Sequence, residues 1–94
     1  MAIYKNQIIS DDVRIMIETM NRAGFGRVVS FARIHRPEAN IDKNVQIVRD
    51  AAKYGLTEAG NKHGTSRQYV LVLIKRFYRD ALEVLRKDAE KDKG

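Results

Sequence analysis

Gly60-Asn61-Lys62-His63-Gly64-Thr65-Ser66-Arg67-Gln68-Tyr69-Val70-Leu71-Val72-Leu73-Ile74-Lys75-Arg76 is the stretch whose reading decides the fold. Its middle, Tyr69 to Ile74, is an unbroken apolar run with three β-branched members, which suits a buried strand. A lone strand leaves its backbone groups unpaired. The rest of the chain offers few strand-like segments and no Asn-Gly or Asp-Gly hairpin turn. The apolar pattern also runs on, through Val70, Ile74, Phe77, Ala81 and Val84, at spacings of four, three, four and three. That is a helical period, and packing routinely overrides weak β-propensity in so short a run.

The flanks specify which kind of helix this is. A helix-turn-helix needs a small residue where its two helices pack most closely, and Gly60 supplies it. Four residues later the turn favours glycine for its backbone conformation, and Gly64 is there. Thr65 or Ser66 can cap the second helix. Its inner face then wants an aliphatic residue six positions after that glycine and another three later, which are Val70 and Leu73. The motif spans about residues 57–80.

Outward from the motif, Ser10-Asp11-Asp12 reads as a helix start, with a capping hydroxyl and two carboxylates at the positive end of the helix dipole. Val13, Met16, Ile17 and Met20 recur at helical spacing and Gly24 stops them, so a helix is expected over about 11–22. Residues 25–36 fit a short helix through Val28, Phe31, Ala32 and His35 better than a strand, and Pro37 ends the segment. Arg22, Arg27, Arg33 and Arg36 have no acid among them in sequence; they read as a solvated face or as a second phosphate-contacting surface. Asn40 or Asp42 can cap an amphipathic helix built on Ile41, Val45, Val48 and Ala52, closed by Tyr54-Gly55. Thr57 is placed to cap a very short segment, Glu58 to His63. The tail at 86–94 is charged and is expected to fray. The sum is an all-α, small single-domain helical bundle over 1–94, with a helix-turn-helix and a long C-terminal recognition helix.

Composition narrows the function classes. The 94 residues are 44% hydrophobic and 32% charged, ordinary for one globular domain. A net charge of +6 and a pI near 9.8 point to a polyanionic partner, nucleic acid before an anionic membrane surface. Without cysteine, disulfides, thiolate chemistry and the usual zinc-finger sites are excluded. His35 and His63 lack metal-ligand spacing, so no metal and no cofactor is expected. Residues 1–7 do not read as a signal peptide, and no apolar run approaches the roughly 18 residues of a membrane span. A cytoplasmic protein is the expectation.

The motif residues also carry a family resemblance. Lys62, Gly64, Ser66-Arg67, Tyr69-Val70 and Lys75-Arg76, preceded by a Val45-to-Gly55 helix with Arg49-Asp50, resemble the TrfB/KorA group of plasmid-encoded transcriptional repressors. The segment is also similar to the PapB-type regulators of fimbrial operons. The resemblance covers roughly residues 44–78 and does not extend to the first forty. The first helix of the motif, between Gly55 and Gly60, reads as short for these families. The resemblance implies a small, all-helical, dimeric operator-binding repressor, bacterial and associated with the nucleoid or a plasmid.

In a helix-turn-helix, the first turns of the second helix enter the major groove. Ser66, Arg67, Gln68, Leu71 and Val72 are then the candidate base readers. Arg67 can pair with guanine O6 and N7, and Gln68 with adenine N6 and N7. Leu71 and Val72 either meet thymine methyls or are partly buried by a rotation of the helix. Lys62, Thr65, Tyr69, Lys75, Arg76 and Arg79 are candidate phosphate contacts, which set register without reading sequence. Tyr69 can equally pack. His63, with no catalytic partner implied beside it, is expected to cap or to touch backbone. Phe77, Tyr78, Ala81, Leu82 and Leu85 form a wide apolar face suited to a homodimer, unless packing on the N-terminal helix around Met16 and Met20 consumes it. The expected partners are double-stranded operator DNA, palindromic or nearly so, and a second copy of the chain. The competing class is a protein–protein module that docks through the apolar C-terminal helix. Nothing resembles an enzyme centre: no nucleophile–base pair is evident, and Gly24-Phe25-Gly26 is too short for a nucleotide-binding loop.

Overall fold

A computed structural model describes residues 10–93, with side chains to Lys91, and every regular element in that span is a helix. In chain order these are α1 (Asp11–Ala23), α2 (Phe25–His35), α3 (Ile41–Tyr54), α4 (Leu56–His63) and α5 (Arg67–Lys93). The Cα extents are 44 × 35 × 17 Å.

Local chemistry sets the boundaries. The Ser10 hydroxyl accepts from the Val13 amide at 3.4 Å, and the Asn40 side chain accepts from the Lys43 amide at 3.2 Å. Gly24 and Gly55 are one-residue joints between helices, at φ 92° and 100°, where a side chain would be strained. The helix α4 starts earlier than expected, at Leu56. Gly55 is its N-cap and no side chain caps it, so Thr57 lies inside the first turn. The helix also passes through Gly60 to His63, giving the motif a full first helix of 8 residues.

The helix α5 is the hub, because each of the other four packs on it. Its inner stripe, Val70, Leu73, Ile74, Phe77, Ala81 and Val84, is buried throughout. Val13, Met20 and Ala23 of α1, Val28 and Ala32 of α2, Ile47, Val48 and Ala51 of α3, and Leu56 and Ala59 of α4 complete the core. Phe77 and Ala81 are 1% and 0% exposed, so they belong to this core and are not free to form a dimer face. The packing of α1 and α2 on α5 has consumed them. Leu82 remains 43% exposed, and Tyr78 and Leu85 are half-buried.

Three of the four arginines between 22 and 36 are tied to acids from distant parts of the chain. Arg33 pairs with Asp42 at the surface. Arg27 makes a two-pronged pair with Asp88, at 2.6 and 2.8 Å. That pair, with Arg86 bridging Glu83 and Glu90, lies within the charged tail, and α5 runs in helical form to Lys93. The hydrogen bond from Arg27 holds the Asp88 carboxyl below its usual range. The stabilisation this gives is therefore full above the ordinary carboxylate pKa and is lost as pH falls through the depressed one.

The third pair has its acid in the core. Arg36 grips Asp80 through both guanidinium nitrogens, at 2.5 and 3.2 Å, and lies 5.9 Å from the Phe77 ring centroid. Asp80 is 5% exposed. A buried charge that loses its partner is strongly destabilising. Arg36→Ala would leave the Asp80 carboxylate unpaired in the core. It is expected to lower unfolding free energy by about 3 kcal/mol, read from the urea midpoint at unchanged slope.

Candidate nucleic-acid interface

The turn between α4 and α5 has the geometry its residues called for. Gly64 is in the left-handed region at φ 66°, and its backbone N–H is directed to the Gly60 carbonyl. The Thr65 amide also donates to the Gly60 carbonyl, at 2.9 Å. A Cβ on Gly60 would stand 2.7 Å from the Thr65 carbonyl oxygen, closer than real Cβ atoms come. Gly60 is thus the point where α4 and the start of α5 touch. The Ser66 hydroxyl accepts from the Tyr69 amide at 3.0 Å and caps α5, so capping already occupies one of the five candidate base readers.

Helical geometry sorts the rest. Opposite the buried stripe, Gln68, Val72, Lys75, Arg79, Leu82 and Arg86 follow one another at spacings of four and three, and all six are exposed. Arg67 is exposed on one flank of this stripe, and Tyr69 and Arg76 are exposed on the other. Leu71 packs partly against the core, whereas Val72 is 40% exposed. Of the two apolar candidates, Val72 is the one turned outward. Thr65 is half-buried in the turn.

The charge on α5 is segregated. Residues 57–79 hold Lys62, Arg67, Lys75, Arg76 and Arg79 against a single acid, Glu58. Among the described residues, none of these five cations has a carboxylate within salt-bridge distance. Lys62 instead lies 4.8 Å from the Tyr54 ring centroid, which Lys53 approaches at 5.2 Å. Beyond Arg79 the acids are paired: Glu83 and Glu90 with Arg86 of the same helix, Asp80 with Arg36 at the C-cap of α2, and Asp88 with Arg27 of α2.

Two features were not foreseen. His63 is neither a cap nor a backbone contact, because its Nε2 lies 2.6 Å from Asp50 Oδ2 and so joins α4 to α3. Asp50 is thirteen residues earlier, and only the packing of α4 back on α3 brings the two together. The N-terminal turn of α3 also comes alongside α5, placing Lys43 and Asn44 beside Tyr69 and Arg76. The signal for this was Asn44 itself, a polar residue on the inner stripe Ile41, Asn44, Val45, Val48. Among the described residues no group of three or more His, Cys, Asp or Glu side chains could hold a metal ion, and no helix is long and apolar enough to cross a membrane.

Comparison with family models, with curated proteins and with solved structures returned no significant match.

Gly60→Ala tests the close approach. The methyl group would meet backbone rather than a flexible side-chain tip. The helices must separate, and a stability loss of about 1–3 kcal/mol in urea unfolding is expected.

Proposed function

We propose that this chain is a sequence-specific double-stranded-DNA-binding transcriptional regulator that acts as an operator-binding repressor. The observation that supports this best is the segregation of charge on α5. Its first half presents an exposed stripe with free cations, while the acids of its second half through Glu90 are in ion pairs, with Arg86 of the same helix or with arginines of α2 and its C-cap. A protein built only to be soluble has no need to sort its charges along one helix. A helix whose first turns enter a major groove does, because the phosphates lie on either side of those turns.

On this reading Arg67 and Gln68 read base edges in the first turn, and Val72 meets thymine methyls. Ser66 serves mainly as the cap. Lys75 and Arg79, with Lys62 and Arg76 at the sides, hold phosphates. The likeness of residues 44–78 to the TrfB/KorA repressors supports a plasmid gene as the regulated target. A gel shift against the DNA upstream of its own gene is the first test, since small repressors often control their own operon. No retarded band at low salt would refute the proposal.

Replacing Gln68 or Arg67 with Ala is expected to cost about 1–3 kcal/mol on the cognate site and little on random DNA. Neutralising Lys75 or Arg79 is expected to weaken binding to every sequence and to lower the salt slope by about 0.9 per lost phosphate contact.

The regulator is proposed to act as a homodimer, because one recognition helix spans too few base pairs to select a site from a genome. The surface that supports this is Tyr78, Leu82 and Leu85, the part of the C-terminal apolar face that the core leaves accessible. The same exposed Leu82 supports the competing reading, a protein–protein docking helix. Retention on DNA-cellulose with a steep salt dependence separates the two. Leu82→Glu is expected to convert a dimer to a species near 10.8 kDa in light scattering and to abolish operator binding, with unchanged helicity. A wild-type mass of one chain, both free and on the operator, would refute the dimer.

A further inference from the structure

Between the N-terminal turn of α3 and the first turns of α5 lies a cleft of about 400 Å³. Asn40, Lys43 and Asn44 line it from α3, and Thr65, Tyr69 and Arg76 line it from the turn and α5. Asn44 is its unusual member. Only 9% of this residue is exposed. Its carboxamide nevertheless makes no hydrogen bond to any described residue. A carboxamide carries two donors and an acceptor, and its polar atoms keep access to the cleft, so they are open to a partner from outside the chain. Here it sits in the wall of a cleft where a ligand can supply that partner.

The surrounding groups indicate what the ligand is. Lys43 and Arg76 have no carboxylate within salt-bridge distance among the described residues, and no carboxylate lines the cleft. His63, also in the wall, is held by Asp50. Thr65 and Tyr69 add hydroxyl donors. Two cations, two hydroxyls and an amide N–H make a donor-rich pocket with positive charge. A metal ion is disfavoured by that charge, and a neutral ligand would leave the cations unused. An anion with several oxygens and more than one charge uses all of them, and phosphate is that anion.

We infer that this cleft binds a phosphate group, with Asn44 donating to an oxygen and Lys43 and Arg76 supplying the charge. The source of the phosphate rests on the proposed function. Tyr69 and Arg76 lie on the flank of the outer stripe of α5, so a backbone phosphate at the edge of the major groove can reach them. A free phosphate ester would make the same contacts.

The test follows the Asn44 side-chain amide in ¹⁵N–¹H spectra of the full chain. Inorganic phosphate and a short duplex of arbitrary sequence are titrated separately, with chloride at matched ionic strength as reference. The expected result is a saturable shift of the Asn44 amide with the duplex, with inorganic phosphate, or with both. In Arg76→Gln, an exposed position at which the fold is expected to survive, the same shift should need about tenfold more ligand. A response to the duplex alone assigns the phosphate to DNA. A response to inorganic phosphate alone assigns the cleft to a free phosphate ester, and would count against this contact in the DNA reading. Silence of Asn44 with both probes overturns the inference, as does an equal shift with chloride or an unchanged titration in Arg76→Gln. Fluorescence anisotropy of the same labelled duplex reports DNA binding separately, so failure of the cleft and failure of the DNA reading are distinguished.

Discussion

Asp80 is a carboxylate placed among core residues of α5, and Arg36 is the cation that makes it tolerable there. The pair constrains more than the strength of one contact. An apolar stripe by itself fixes the rotation of a helix loosely, because neighbouring aliphatic positions can exchange places at modest cost. A buried charge with one available partner cannot exchange in this way. Turning α5 by one residue, about 100°, would carry Asp80 away from Arg36 and leave both unpaired. The pair therefore holds the rotation in which Phe77 faces the core, and with it the rotation in which Gln68, Val72, Lys75 and Arg79 face outward. The proposed reading surface inherits its orientation from an ion pair near the middle of the same helix.

The close approach at Gly60 complements this from the other end. It sets the start of α5 against α4, while Arg36 and Asp80 set its rotation. Between these two points the exposed stripe has little freedom, which is what base reading requires, since bidentate contacts tolerate only small misplacement. The charge pattern follows the same division. Before Asp80 the cations are left free, and after it each acid that the structure describes through Glu90 is in an ion pair.

Much of this was legible in the sequence, and the reasons are local. Val70, Leu73, Ile74, Phe77, Ala81 and Val84 announced a helix because their spacing has no strand solution, and all six are buried. Gly60 and Gly64 were readable because each is needed for a backbone reason that involves only near neighbours. The failures share the opposite property. The arginines at 27, 33 and 36 read as an unbalanced basic face because their acids lie at Asp88, Asp42 and Asp80. The hold on the charged tail at Asp88 was invisible because its partner is 61 residues away. The apolar face of α5 offered Phe77 and Ala81 for a dimer because nothing local says that α1 and α2 return to cover them. The partner of His63 was missed for the same reason, since Asp50 belongs to the preceding helix. Periodicity and turn chemistry are read along the chain, whereas charge pairing and burial are settled across it.

The central position of α5 also affects how the chain is made. This helix is synthesised after the other four, yet α1, the first described helix, makes its main contacts with it. Until α5 emerges, the apolar side of α1 lacks its principal cover and Arg36 lacks Asp80. The one-residue joints at Gly24 and Gly55 can let neighbouring helices form and touch early, but they cannot close the core. Closure of the core is thus uncoupled from the synthesis of α1 to α4 and waits for α5. A nascent copy can acquire its finished core, and with it the outward rotation of the exposed stripe on α5, only once that helix is available to the other four.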